Sequence, residues 1–375
     1  MDLPLKLRQK LAQREQNGIL RQLKTTAAAI DFCSNDYLGL ARSQKLRARL
    51  EAELLNYAHL PVGATGSRLL SGNSALAEAL EKQIAQFHAA KATLLFNSGF
   101  AANTGFFSAI PQRGDTILYD EASHASIKDG IRLSFAQSFS FRHNSPDDLQ
   151  KKFQRATGDV YVAVESLYSM DGDFAPLIDL VQICAEKGAY LVVDEAHSNG
   201  LYGPNGGGLV QELGLADKVF ARIMTFGKAL GCHGAAMVGS EALRQFLINF
   251  SRPFIYTTAL PLHALLNIKT AYELLPELNF ERSRVKQLAV YLKNALAPYP
   301  NIKVNPTDSP IQWLQAPDVA SLRTISQKLQ ADGIDARPIF SPTVPAGKER
   351  LRLIVHAFNT EAEIDALAAA ISTQL

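Results

Sequence analysis

Between about Asn73 and Ser240, short apolar runs alternate with stretches whose apolar residues recur at helical spacing. The runs are Ala92 to Phe96, Thr116 to Tyr119, Val160 to Val164, Ala189 to Val193, and Ala235 to Val238. Such alternation predicts a mostly parallel sheet covered by helices. We read residues 45–260 as one large α/β domain. Pro253 and Pro261 then interrupt the pattern, and a helical stretch resumes through Leu265, Ile268, Ala271 and Leu275. Residues 261–375 are expected to form a smaller α+β domain. Its apolar runs are Ile311 to Leu314 and Leu351 to Val355, and its last helix opens on the capping-box pattern Thr360-Glu361-Ala362-Glu363.

Residues 1–44 form an N-terminal helix and segment in this reading. Leu3, Leu7 and Leu11 recur every four residues, as on one face of a docking helix. Lys6, Arg8, Lys10 and Arg14 stand between the leucines, which argues against a signal peptide or membrane span.

Composition narrows the picture only a little. The chain has 375 residues, and 47% hydrophobic with 20% charged residues is the balance of an ordinary globular protein. A net charge of +2, with basic residues scattered among acids, offers no nucleic-acid footprint. Cys33, Cys184 and Cys232 fit neither a disulfide framework nor a metal site, and a reducing cytoplasm is expected. No two histidines lie three to five residues apart near a cysteine, so no metal is expected.

Candidate chemistry begins where the run Leu191 to Val193 ends, at Asp194-Glu195-Ala196-His197. In open α/β sheets ligands gather at the carboxyl ends of strands. A carboxylate there can hold a protonated heteroaromatic nitrogen; an aspartate also serves as a helix N-cap. Lys228, in Thr225-Phe226-Gly227-Lys228, has small and apolar neighbours of the kind that favour a neutral, Schiff-base-forming amine over an ordinary solvated one. Asn97-Ser98-Gly99-Phe100 follows a strand and opens a helix, where free amides suit a phosphate, although a plain turn reads the same way. No lysine follows Gly99 in P-loop fashion. His124 lies among small residues past another strand, in a structural or a catalytic place.

Taken in order, six motifs resemble the α-oxoamine synthases. They are Ser34-Asn35-Asp36-Tyr37-Leu38-Gly39-Leu40; Gly66-Ser67-Arg68 with Ser71-Gly72-Asn73; Ser98 to Asn103; Ser169-Met170-Asp171-Gly172-Asp173; Asp194 to His197; and Thr225 to Lys228. The resemblance runs from about residue 30 to the C-terminus. It implies a homodimeric pyridoxal 5'-phosphate enzyme of the aspartate-aminotransferase-like fold (fold type I). The family joins an amino acid to an acyl thioester with loss of carbon dioxide. Ser341 to Gly347 followed by Arg350 to Leu353 resembles the members that take L-alanine and pimeloyl-CoA or pimeloyl-acyl carrier protein. Members taking glycine with an acetyl group or serine with a palmitoyl group are the alternatives, and a non-catalytic partner subunit is a remote one.

By resemblance, Lys228 is the Schiff-base lysine, Asp194 pairs with the pyridine nitrogen, His197 meets the ring hydroxyl and His124 stacks on the ring. Gly99, Phe100, Thr225 and Thr258 of a neighbouring subunit hold the cofactor chiefly through its phosphate, and Ser169 lines the same pocket. Asn35 and Arg352 read the amino-acid carboxylate, and Thr343 touches substrate. Arg21 meets the distal carboxylate of the acyl chain, unless it is a solvated helix arginine. Phe340 departs from the family pattern, standing where many members have arginine.

Overall fold

A computed structural model describes residues 3–21, 23, 30–299 and 301–374. Helix α1 (Leu5–Gln16) forms where the leucine spacing predicts it, yet none of its residues is buried. Strand β1 (Ile30–Asp31) follows, and helices α2 (Gln44–Asn56) and α3 (Ala75–Phe87) lead into the large sheet. Ser43 and Ser74 cap the two helices, each accepting an amide from the first turn.

Seven strands build that sheet: β2 (Ala92–Phe96), β3 (Thr116–Asp120), β4 (Gln137–Phe141), β5 (Val160–Glu165), β6 (Tyr190–Asp194), β7 (Ala221–Thr225) and β8 (Ala235–Gly239). Their spatial order is β2-β8-β7-β6-β5-β3-β4. Strands β4, β3, β5, β6 and β7 run parallel, while β8 is antiparallel to both its neighbours. Successive residues face opposite sides. Val192 and Ile223 join one apolar core with Phe106, Phe107 and Ile127; Leu191, Val193 and Met224 join the other with Leu80 and Leu180. Burial of each such side chain contributes roughly 1.5–3 kcal/mol.

Strands β2, β3, β5, β6 and β8 are legible in the sequence because their runs are largely apolar; β4 and β7 are not. Strand β4 is an edge strand that reads Gln-Ser-Phe-Ser-Phe. In β7 a buried arginine, Arg222, interrupts the apolar run; it bonds the His88 carbonyl and lies 3.7 Å from Glu195.

A second sheet follows, from β9 (Lys303–Val304) and β10 (Ile311–Gln315), past β11 (Ile334–Asp335), to β12 (Arg337–Ile339) and β13 (Arg350–Ile354). Its order is β12-β13-β10-β9, antiparallel throughout. Strand β11 pairs instead with β1, so the N-terminal segment is stitched to this unit. A third core runs from Phe32 and Leu288 to Ile371. Helix Leu262–Leu274, where the smaller domain was expected to start, sends Leu266, Ile268 and Tyr272 into a core of the large sheet. The last helix carries its capping box, with Glu363 accepting the Thr360 amide at 2.8 Å. Among the described residues no helix is long and apolar enough to cross a membrane.

Candidate active site

Parallel pairing brings the carboxyl ends of β5, β6 and β7 side by side, with Glu165 opposite Asp194 and Asp194 opposite Ile223. Asp194 is 5% exposed. Its Oδ2 accepts from Asn103 Nδ2 at 2.7 Å and its Oδ1 from the Ala196 amide at 2.9 Å. The second bond closes a turn, and no helix begins there, so the N-cap reading of Asp194 does not hold. Both donors are neutral, and among the described residues no salt bridge reaches this carboxylate. A buried carboxylate so arranged calls for a cation.

His197 is buried beside it, with Nδ1 2.7 Å from the Tyr37 hydroxyl. Burial, reinforced by the charges of Lys228 and Arg352, pushes its basicity far down. It is a neutral imidazole whose orientation Tyr37 fixes. Tyr37 comes from a motif that signalled family rather than role.

His124 caps helix α5 (Ala125–Leu133) with its own ring: Nδ1 accepts the Ser126 amide at 3.2 Å and lies 2.8 Å from Ser126 Oγ. That assigns the remaining ring proton to Nε2. Its own amide donates to Glu165 Oε1 at 2.7 Å. Burial lowers the basicity of this ring as well.

Lys228 follows β7, half-buried. Loss of water around its amine brings the pKa down to about 8, against the opposing pull of Asp194 and Glu165. Glu165 is pushed up to about 8 by burial and then by the charge of Asp194. Sequence reading missed Glu165 and Asn103. Glu165 hid because it closes an apolar run, as Asp194 does, but with no histidine behind it; Asn103 is a polar residue, 1% exposed, within the apolar helix α4 (Gly99–Ala109).

The start of α4 faces Thr225. A Cβ added at Gly99 would fall on the Thr225 hydroxyl, so only glycine leaves this approach open. Ser98 caps the helix at the Ala101 amide, and the Gly99 and Phe100 amides belong to the first turn, which has no intrahelical acceptors. Thr258 is exposed, and its carbonyl accepts from Asn97 at 2.9 Å.

The second unit contributes Arg352, from β13. Its Nε donates to the Ser169 carbonyl at 2.7 Å and its Nη2 to Asn35 Oδ1 at 3.1 Å. Three predicted residues from distant stretches therefore meet. Arg21 and Thr343 form a separate pair, Nη2 to Oγ1 at 3.2 Å, beside a cavity lined also by Arg14 and Phe340. The Arg323 guanidinium lies 4.9 Å over the Phe340 ring, so a cation stands at this wall of the cavity.

These residues fit pyridoxal phosphate on structural grounds alone. A buried carboxylate lacks a cation, a lysine amine is held toward neutrality, and a glycine-opened helix start meets a hydroxyl. Comparison with known proteins agrees. The model of the family "Aminotransferase class I and II" matches residues 27–371. An 8-amino-7-oxononanoate synthase of Emericella nidulans is 44% identical over 98% of this chain and 95% of its own. Among solved structures, a serine palmitoyltransferase with pyridoxal phosphate superposes with a TM-score of 0.90 at 28% identity, covering 100% of this chain and 98% of that one. The 8-amino-7-oxononanoate synthase of Francisella tularensis does so with a TM-score of 0.80 at 28% identity, over 93% and 98%.

Proposed function

The chain belongs to the aminotransferase class I and II family, and we propose that it is a pyridoxal-phosphate-dependent α-oxoamine synthase making 8-amino-7-oxononanoate for biotin synthesis. Its substrates are L-alanine and a pimeloyl thioester, carried on coenzyme A or acyl carrier protein, and carbon dioxide leaves. The observation that supports this most is the convergence of a near-neutral Lys228 with Asp194 and His197 at adjacent strand ends, in a chain 44% identical to an enzyme of that name.

Bound pyridoxal phosphate supplies an aldehyde that combines with amines and an electron-poor ring that takes up the charge left at Cα. The chain's residues do the rest. Asp194 would hold the proton on the ring nitrogen, and His197, oriented by Tyr37, would address the ring hydroxyl. His124, fixed by Ser126, would lie against the ring. The Gly99 and Phe100 amides and the Thr225 hydroxyl would hold the phosphate, with Ser169 lining the pocket. Lys228 would anchor the aldehyde and carry the Cα proton, a task for which an amine with a pKa near operating pH is suited. Asn35 and Arg352 bind the amino-acid carboxylate, while Thr343 and Arg21 serve the acyl chain.

The working form is a homodimer in the cytoplasm in this reading, with Thr258 serving the neighbouring subunit's phosphate. Exposed Leu70 and Tyr256 near it, at 85% and 73%, supply apolar surface for such a partner. A matrix of alanine, glycine and serine against acetyl, pimeloyl and palmitoyl thioesters tests the assignment. Carbon dioxide release should be fastest for alanine with pimeloyl; preference for glycine with acetyl or serine with palmitoyl overturns it. Running both carriers identifies the thioester.

A further inference from the structure

One ionisable cluster lies outside the chemistry just described. His143, past the end of β4, is bonded on both ring nitrogens: Nδ1 lies 2.9 Å from Asp120 Oδ1, and Nε2 lies 2.9 Å from Asp173 Oδ2. A ring flanked by two carboxylates donates at both ends and is an imidazolium. Asn144, held in the left-handed region at φ 49°, reinforces both contacts, its amide donating to Asp120 at 2.8 Å and its side chain to Asp173 at 3.1 Å. Backbone strain of this kind persists only where surroundings enforce it. The Tyr168 ring packs on the imidazole at 87°, with centroids 4.5 Å apart.

Asp173 ends the Ser169–Asp173 loop, and the other side of that loop belongs to the second unit. Arg350 donates to Asp171 Oδ1 at 2.8 Å, Trp313 to the Asp171 carbonyl at 2.8 Å, and Thr307 and Ser309 to the Gly172 carbonyl at 2.7 and 2.6 Å. At its start, the Ser169 carbonyl holds Arg352. The loop is therefore a buckle. One side is set by β10, β13 and their loops, the other by His143 and Asn144 from the sheet that carries Asp194 and Lys228.

We propose that His143 is a positioning residue for the amino-acid half of the reaction: by joining Asp120 to Asp173 it references the buckle to the large sheet, so that Ser169 aims Arg352 at the substrate carboxylate. This rests on the reading of Arg352 given above. A buckle freed from the sheet leaves Arg352 attached to the second unit but out of register with Lys228. Misplacement of about an ångström at a binding group is enough to cost up to about a hundredfold.

The test uses the cofactor-loaded enzyme and the variants His143→Gln, Arg352→Lys and their combination. Glutamine reaches one carboxylate and cannot bridge two. His143→Gln should raise the KM for alanine by about ten- to a hundredfold and leave kcat, cofactor affinity and thioester KM within about twofold. In the Arg352→Lys background it should add nothing further. Asp173→Asn, which keeps an acceptor for His143, should move the same KM less and supplies the result if His143→Gln does not fold. Equal effects of His143→Gln in both backgrounds overturn the inference, as does a loss shared among alanine, thioester and cofactor. If Arg352→Lys leaves alanine KM unmoved, the carboxylate reading falls and takes the inference with it. If Arg352→Lys raises that KM while His143→Gln does not, only the inference falls.

Discussion

Asp194→Asn separates the structural from the chemical duty of one residue. Structurally, the change is small. The asparagine oxygen can keep the Ala196 amide now bonded at 2.9 Å, leaving an NH2 group facing Asn103 Nδ2, now at 2.7 Å. Rotation of the Asn103 amide relieves that clash of donors. Its oxygen then accepts from residue 194, and Ser126 Oγ, 3.0 Å away, can turn its hydroxyl to donate. His124 retains the Ser126 amide. The net loss is about one hydrogen bond, roughly 0.5–1.5 kcal/mol of stability. Chemically, the change removes the one anion proposed to keep a proton on the ring nitrogen. Loss of a buried charge partner costs about 3–5 kcal/mol. Felt in the transition state, that is roughly two to four orders of magnitude in rate. Denaturant unfolding of the variant should therefore stay close to wild type, while kcat/KM for alanine with pimeloyl thioester falls at least about a hundredfold. Near-normal kcat/KM, or a rate loss matched by wholesale unfolding, refutes the reasoning.

Lys228→Ala should fold and bind the cofactor, but lose both the long-wavelength absorbance of the lysine-bound form and turnover; an unchanged spectrum sinks the assignment. Glu165→Gln probes pH. The carboxyl is raised from its ordinary value of 4.5 to about 8, so the folded state binds the proton more tightly than the unfolded one. Its favourable contribution is present below about pH 4.5 and disappears as pH rises through about 8. Glutamine has no such loss, and in cofactor-free protein the variant should gain stability relative to wild type from about pH 5 to pH 9, read from denaturant midpoints. A difference that does not change with pH contradicts the burial argument. Gly172→Ala places a side chain at φ +66° and against the Ile311 carbonyl. It should lose at least about 1–3 kcal/mol from the backbone alone, visible as a lowered unfolding midpoint.

What the sequence made legible follows a physical division. Apolar runs announce five of the seven strands because a strand between two helical layers must be apolar on both faces, and the end of β6 locates Asp194, while Lys228 stands out by its small and apolar neighbours. The orienting residues gave no such signal. Tyr37 and Asn103 act by single hydrogen bonds to His197 and Asp194, and nothing in their spacing announces a partner far along the chain. Glu165 lies opposite Asp194 only through parallel register, a long-range fact. The N-terminal helix shows the other side of this. Its periodicity gives the helix, and among the described residues nothing covers the apolar face, Leu7 and Leu11 being 46% and 47% exposed. Spacing predicts a helix, but not what covers its face.

The same division bears on how such a fold can serve several substrates. Asp194, Thr225 and the lysine after it are spaced by the ladders of adjoining strands, and shifting one shifts a register that seven strands share. The residues assigned to the amino-acid carboxylate and acyl chain are held otherwise. Arg352 meets Ser169 and Asn35 through one side-chain bond each, Arg21 and Thr343 meet through another, and β1 and β11 join their segments by a pairing of two residues each. These ties are few and local. Substitution there can change which carboxylate or chain is read while the cofactor's anchors stay in place. Selection for a new substrate should therefore gather its changes in the N-terminal segment and the second sheet. Changes gathering instead at the ends of β5, β6 and β7 would mean that chemistry and choice are not separable in this fold.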